Sequence, residues 1–453
     1  MATGESKTKW NSGNSNDLSK SNLWESQFDI VLSFPGKREK GLILATEPAT
    51  VEPLWAAPNS TADRNHLYFG DNLPIMAHLY NSPDIRGRVK LVYIDPPFST
   101  NSVFKARTQK DAYHDLLVGA DYLAFMYERL VFLRELMAED GSIYVHLDDT
   151  MAFDIKIILD EIFGRQNFRN FITRRKCNPK NYTRKTYGNI SDYLFFYTKS
   201  DRYTWNRSVE KWTTERAEKE YSYVEPATGR RYKKVPIHAP GTRNGQTGKS
   251  WRGMQPPPGK HWQYPPATLD EMDRRGEIAW SANGNPRRKI YLDESEGIPV
   301  QDIWWDLRDA HNQNIKITGY PTEKNPDLLR RSITASSNPD DLILDCFSGS
   351  GTTLAVGSEL DRAWIGIDSS PEAISTTLRR FATGPELMGD FVSKPVSLKP
   401  IQLSLSLPFE RQPVQHSNFV LLAIKDQGQE LHEAIQNWQS RFLLDEENGQ
   451  NGL

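Results

Sequence analysis

Two acidic turns, each closing an apolar run, constrain this chain more than any other feature. Leu91-Val92-Tyr93-Ile94 ends on Asp95-Pro96-Pro97-Phe98, and far downstream the run Asp341–Asp345 enters Cys346-Phe347-Ser348-Gly349-Ser350-Gly351-Thr352-Thr353. Proline donates no ladder hydrogen bond, so the first run reads as a strand stopped at its carboxyl end. The second reads as a strand leading into a glycine turn that opens a helix, where backbone can approach a ligand closely and free N–H groups face an anionic group. In open α/β sheets, ligands bind beyond the carboxyl ends of strands. Asp95 and Asp345 are therefore expected to face one crevice, one turn gripping a flat ring and the other holding a larger ligand.

The periodicity around these turns supports such a sheet. His66–Phe69, a helix over Leu73–Leu79 and Val89–Ile94 form a β-α-β pattern. Tyr122, Met126, Leu130, Leu133 and Met137 predict an amphipathic helix stopped near Asp140-Gly141, followed by a strand at Ser142–Leu147 and a helix over Thr150–Phe163 ended by Gly164. Two β-rich runs, Phe168–Arg174 and Tyr193–Thr198, close this half. Order then dissolves into short pieces punctuated by Pro256-Pro257-Pro258 and Pro265-Pro266. It returns as a helix over Pro326–Ser336, a strand to Asp345, a helix over Thr352–Leu360, a strand over Ala363–Ile367 and a helix from Pro371. The expected fold class is α/β, a mostly parallel sheet with helices on both faces, split by an insertion. The expected divisions are a disordered lead at 1–40, a first half at 41–198, the insertion at 199–318, a second half at 319–383 and an extension at 384–453 of no legible role, with one helix at Gln429–Leu443.

Charge is uneven. The formal net charge is −2, yet Phe171–Ile290 carries 25 Lys and Arg against 11 Asp and Glu, leaving the remainder acidic. A cationic segment on an acidic body suits phosphate binding, because each neutralised phosphate releases counterions. The same stretch holds 17 aromatics, among them Trp205, Trp212, Tyr232, Trp251, Trp262, Tyr264 and Trp280. Such rings either stack on unpaired bases or anchor a small core. No run reaches membrane-spanning length, and the first twenty residues lack the apolar stretch of a signal peptide. Cys177 and Cys346 stand far apart with no His or Cys cluster, so no disulfide framework and no zinc site is expected, and the compartment is expected to be cytoplasmic.

Two glycine patterns need separating. The loop at Gly349 lacks the third glycine of a dinucleotide fingerprint, since Leu354 stands there. Gly245-Gln246-Thr247-Gly248-Lys249-Ser250 is a poor P-loop, with Arg243 at the first glycine position and no strand leading in. Asp368, ending Ile365-Gly366-Ile367, is placed to accept from ribose hydroxyls or, nearly as well, to cap the helix at Pro371.

Taken together, Gly70-Asp71-Asn72-Leu73, Asp95-Pro96-Pro97-Phe98, Pro321-Thr322-Glu323-Lys324-Asn325-Pro326, the glycine loop and Asp368 resemble the β-group amino-methyltransferases of DNA. The stretch from Asp148-Asp149 through Asp160-Glu161-Ile162-Phe163-Gly164 and Asn167-Phe168 looks most like Mod subunits of type III restriction-modification systems. Cys346 departs from the family's usual proline, and Phe98 from its commoner tyrosine.

The resemblance implies a Rossmann-like methyltransferase sheet interrupted by a target-recognition module, S-adenosylmethionine as cofactor and double-stranded DNA as partner. A homodimer and a restriction subunit are the protein partners it allows. It implies that Asp71 with Asn72 meets the cofactor adenine, Asp368 the ribose, and Asp345, Phe347, Gly349, Ser350, Gly351, Thr352 and Thr353 the methionine end, with Lys324 a weaker candidate for the carboxylate. Asp95, Pro96, Pro97 and Phe98 would be catalytic. An exocyclic amine is conjugated into its ring and nucleophilically poor; hydrogen bonds to the Asp95 carboxylate and the Pro96 carbonyl would localise its lone pair for in-line attack on a sulfonium methyl. The base must first leave the duplex, at a cost of roughly a few kcal/mol. Stacking on Phe98 would return about 1–3 kcal/mol of that. In this family Asp at the first position goes with adenine N6 and Ser with cytosine N4, so adenine is favoured, with N4-cytosine transfer and a catalytically silent DNA-binding scaffold as alternatives.

Overall fold

The computed structural model describes residues 30–56, 64–97, 119–179, 185–309, 316–320, 323–387, 418–432 and 435–436. These fall into two compact units, one built from the chain up to Thr204, Ile303–Glu386 and the segment from His416, the other from Trp205–Asp302 with Leu387.

The first unit is organised on a ten-stranded sheet: β1 (Val51–Ala56), β2 (Asn65–Phe69), β3 (Val89–Ile94), β4 (Met137–Leu147), β5 (Phe168–Arg175), β6 (Ser191–Thr198), β7 (Ile303–Trp304), β8 (Leu342–Asp345), β9 (Ala363–Asp368) and β10 (Val420–Ile424). Its order is β1-β10-β2-β9-β8-β3-β4-β6-β5-β7. From β10 through β4 every pairing is parallel, whereas β1, β6 and β5 add antiparallel neighbours. The expected mostly parallel α/β sheet is therefore present, with the strands of both chain halves interleaved at its centre.

Central strands read as nearly continuous apolar runs because both faces are covered. Val89, Leu91, Val92 and Ile94 of β3 and Ile343 and Leu344 of β8 are each at most 1% exposed. The covering helices are α1 (Asn72–Tyr80), α2 (Ala120–Leu136), α3 (Ala152–Phe163), α4 (Pro326–Ser336), α5 (Thr352–Glu359) and α6 (Pro371–Thr383). Met126, Leu130 and Leu133 of α2 and Ile155, Ile158 and Ile162 of α3 join the same core as β3. The helix starts follow local chemistry: Asp71, Asn325 and Ser370 each accept a hydrogen bond from a backbone N–H of the first turn, and proline opens α4 and α6.

Several expectations need correction. α2 stops at Leu136 rather than near Asp140, and β4 starts at Met137, which pairs with Val89 before a register shift brings Leu91 opposite Ser142. Gly141 permits that irregularity, since a Cβ there would lie 2.9 Å from the Val89 carbonyl oxygen. Residues 30–40, expected within a disordered lead, are placed: Leu32 and Phe34 pack on the core, and Lys37 pairs with Glu161 at 2.7 Å. The 384–453 segment supplies β10, in register between β1 and β2. Its predicted helix begins as a single 3-10 turn, Gly428–Leu431, and most of 433–443 lies outside the described residues. β7, within the expected 199–318 insertion, pairs with β5, so the compact inserted unit is shorter, Trp205–Asp302. A two-residue strand leaves no periodicity to read.

That second unit has a four-stranded antiparallel sheet in the order Ile278–Trp280, Pro286–Tyr291, Arg231–Pro236, Tyr223–Val224. Its core is Ile237, Trp251, Trp262, Leu269, Met272 and Ile278. Much of its positive charge is paired internally: Arg230 with Asp293 and Glu294, Arg231 with Glu218, Lys233 with Glu220, Arg252 with Asp270 and Asp273, Lys289 with Glu225. Gln246–Gly248 is one 3-10 turn with no strand leading in, unlike a P-loop. No helix among the described residues is long and apolar enough to cross a membrane.

Candidate functional site

Four adjacent parallel strands, β2, β9, β8 and β3, each deliver an aspartate at or just beyond the carboxyl end: Asp71, Asp368, Asp345 and Asp95. Leu344 pairs with Val92 and Asp368 with Phe69, so the register aligns these ends on one edge. The two distant turns of the sequence thus lie side by side.

The glycine loop is held from beneath. Asp368 accepts from Gly349 N at 2.8 Å with one oxygen and from Ser370 N at 2.9 Å with the other, while Ser370 caps α6. The capping alternative for Asp368 therefore falls to Ser370. Gly349 and Gly351 have φ of 49° and 72°, and a Cβ on Gly351 would come within 2.8 Å of two Thr377 side-chain atoms. A left-handed backbone and close approach both call for glycine there. Arg380 binds Ser350 O at 2.6 Å and Thr352 Oγ1 at 3.1 Å, and reaches Glu323 at 2.6 Å. Glu323 in turn accepts from Thr318 N and Oγ1. This network joins the glycine loop to the segment that carries Lys324, whose ammonium stands 2.9 Å from Asp95 Oδ2.

Asp345 accepts from Phe347 N at 3.0 Å and Thr353 Oγ1 at 2.6 Å. Burial nevertheless pushes its carboxyl up to about 7, with Asp95 and Asp368 adding to the rise. Asp368 is raised as well, again chiefly by burial. Phe347 packs against Phe125, ring centroids 5.9 Å apart. Asn72 is buried and engaged within the protein, donating to Cys346 O at 2.7 Å and accepting from Arg129 Nε at 2.6 Å; Arg129 also pairs with Asp71 at 3.0 Å. Asp71 keeps an exposed carboxylate while capping α1. Around Asp95, Pro96 is buried and Pro97 exposed, and Phe98 lies outside the described residues, as do Pro321 and Thr322.

These residues fit a cationic, nucleoside-bearing cofactor. A buried carboxyl that resists ionising gains from an opposing cation. Ser348 Oγ, in the same loop, is buried without a partner, and α5 opens here with first-turn N–H groups that lack intrahelical acceptors. Bound there, S-adenosylmethionine would supply an electrophilic methyl carbon on sulfonium.

Sequence reasoning gave no role to Arg129, Glu323, Arg380 or Asp192, and it left His146 as a structural residue because nothing in its spacing defines a role. The signals were faint: an arginine within the apolar face of α2, a glutamate beside the lysine already chosen, an arginine inside α6, and a histidine ending a buried strand.

Carboxylates gathered at the strand ends of such a sheet, with an Asp-Pro-Pro turn beside a glycine loop, are the arrangement of a group-transfer enzyme of methyltransferase type. The DNA methylase family of N6 and N4 amino-methyltransferases matches residues 89–379, and the chain belongs to it. It is a DNA methyltransferase, and S-adenosylmethionine is its methyl donor. The type II methyltransferase M.EcaI of Enterobacter cloacae is 45% identical over 382 residues, covering 83% of each protein. The StyLTI Mod subunit of a type III restriction-modification enzyme from Salmonella typhimurium is 27% identical over 329 residues, 64% of this chain and 49% of that protein, so the chain spans about half of that Mod subunit. Among solved structures, the M1.HpyAVI–SAM complex aligns at 17% identity over 70% of this chain and 98% of that one, with a TM-score of 0.39.

Proposed function

We propose that the chain methylates the N6 amine of an adenine turned out of double-stranded DNA, with Asp95 and the Pro96 carbonyl receiving the amine. The observation that carries this reading is the state of Asp95, whose Oδ1 is buried and accepts no hydrogen bond while Oδ2 is held by Lys324, at the strand end next to the glycine loop. An orphaned acceptor is costly unless a ligand donor completes it. An amine N–H is such a donor. Asp as the first residue of the turn favours adenine over cytosine by resemblance.

Asp71, Asp345, Asp368 and the 349–353 loop are the proposed cofactor contacts. The Trp205–Asp302 unit is proposed to read the target sequence. Some relatives are by name Mod subunits of restriction-modification enzymes, which supports a restriction subunit as partner. Purified protein given duplex DNA and labelled cofactor is expected to label adenine, and Asp95→Ala to abolish transfer while cofactor still binds. Label found only in cytosine would overturn the adenine assignment. Co-purification with a nuclease subunit tests the partner, and an active freestanding dimer would speak against it.

A further inference from the structure

His146 is wholly buried at the end of β4, a strand that runs parallel to β3 with Val145 opposite Ile94. The next residue of each strand is thus His146 beside Asp95. Nδ1 lies 3.9 Å from Asp95 Oδ1 and 2.8 Å from the Tyr93 hydroxyl. On the far side of the ring, Nε2 lies 3.0 Å from Asp192 Oδ2, without the alignment of a full hydrogen bond. Arg174 clamps Asp192 through Nε at 2.7 Å and is itself anchored on Asp309 and on Leu307 O. The sequence gives no reason for an Asp-His-Asp-Arg line inside a core, and a buried ionic line of this kind is weak evidence for stability as such.

The groups facing the imidazole come from each neighbouring element: Tyr93 and Asp95 from β3, Asp192 from β6 backed by Arg174 of β5, and Lys324 from the segment before α4. Burial lowers the basicity of His146 most, Asp192 and Asp95 oppose that, and Lys324 adds to it. Burial likewise opposes charge on Asp192, but His146 and Arg174 hold its carboxyl well below the usual range. An ionised carboxylate at Nε2 selects the tautomer protonated there, leaving Nδ1 to accept from Tyr93.

We propose that His146 is the internal proton acceptor of the transfer, acting through Asp95 as a positioning residue; this rests on Asp95 receiving the amine. When the amine lone pair forms the new N–C bond, the S–C pair stays on sulfur and nitrogen holds one proton too many. That proton passes to Asp95 and then, once the Tyr93 hydroxyl has swung off Nδ1 and Oδ1 has closed the 3.9 Å gap to it, from Oδ1 to Nδ1 of His146, whose new N–H donates to the Tyr93 oxygen. A proton left on Asp95 would forfeit the attraction to Lys324, whereas His146 gains one to Asp192 on accepting it. After product release the proton returns to solvent.

The test begins without turnover. In the full chain with 15N-labelled histidine, the His146 signals, identified by their loss in His146→Gln, should report a neutral ring protonated on Nε2 at pH 7. Finding the Nδ1-protonated tautomer or a doubly protonated ring overturns the proposal. Glutamine can still donate toward Asp192 but has no titrating nitrogen, so His146→Gln should lower kcat by about 100-fold. Cofactor affinity and melting temperature should hold, and the acid limb of the kcat–pH profile that tracks the His146 titration should vanish. Wild-type kcat and profile in a folded His146→Gln protein overturn it. Should that variant not fold, Asp192→Asn, which withdraws the carboxylate that raises the basicity of His146, is expected to shift the same limb to lower pH, and an unchanged profile there overturns the proposal equally. Asp95→Ala separates the two claims, because a transferring Asp95→Ala protein sinks the underlying assignment of Asp95, while an inactive one leaves it standing whatever His146→Gln does.

Discussion

The Lys324 ammonium stands 2.9 Å from Asp95 Oδ2, with both side chains largely shielded from solvent. The carboxylate at the end of β3 is therefore engaged by a cation from a segment more than two hundred positions later in the chain, and that segment is fixed by Glu323 to the Arg380 that also grips the glycine loop. The two halves of the site are joined by charge as well as by sheet register.

Lys324 was expected from resemblance to meet the cofactor carboxylate, and its contact with Asp95 makes the two roles separable. Lys324→Met removes a charged hydrogen bond worth about 1.5–3 kcal/mol, so kcat is expected to fall about 10- to 100-fold if the contact shapes the catalytic turn. Calorimetry with cofactor alone should then show only a small change in Kd. A loss of affinity as large as the loss of rate would place the ammonium on the cofactor instead.

Asp345 predicts a pH signature for the ligand-free protein. Its folded carboxyl is raised to about 7 by burial, so between the unfolded value near 4 and pH 7 the folded state holds a proton that the unfolded chain has released. Stability from this group is present at low pH and declines as pH rises through that window. Asp345→Asn, which keeps an acceptor for Thr353 or Phe347, should flatten the fall in melting temperature between about pH 4 and 7 relative to wild type. A steeper fall in the variant would reverse the sign and refute the assignment.

Much of the site was legible because it is local. The strand Val89–Ile94, the proline turn and the glycine loop each declare themselves within ten residues, and parallel pairing then brings Asp95 and Asp345 together. What was hidden depends on pairs remote in sequence. Arg380 looks like a helix-surface cation until Glu323 and Ser350 meet it, and His146 looks like filler until Asp192 of an antiparallel neighbour faces it. Val420–Ile424 has the composition of a strand, but its neighbours are polar and proline-spaced, so only its pairing with β1 and β2 reveals it. The charge of the insertion misled in magnitude, since many of its cations are spent on nearby carboxylates.

The Arg380–Glu323 pair is buried on both sides, with side chains 5% and 2% exposed. Arg380→Met leaves Glu323 charged and unpaired, which is expected to cost about 3–5 kcal/mol in a denaturant titration. Arg380→Met with Glu323→Leu should recover part of that loss, because no lone charge remains, although Thr318 loses its acceptor. Additive losses in the double variant would show that the two residues do not act as a pair.

The aromatic residues of the insertion divide into two kinds, and the division can be measured. Trp262 is 3% exposed in the small core beside Trp251, so Trp262→Ala should cost about 3–5 kcal/mol and unfold or loosen that unit. Tyr223 is 44% exposed, with Lys234 Nζ 3.8 Å above its ring, and Arg287 lies two positions along the neighbouring strand from the Lys289 that pairs with Lys234. Among the described residues, neither Lys234 nor Arg287 has a carboxylate within ion-pair distance, so both cations remain available to phosphate. Tyr223→Ala, Lys234→Gln and Arg287→Gln should leave the melting temperature nearly unchanged. If this sheet face meets DNA, each Gln variant should reduce the slope of log K against log salt by about 1. Wild-type slopes in both would remove this face from the DNA-binding surface.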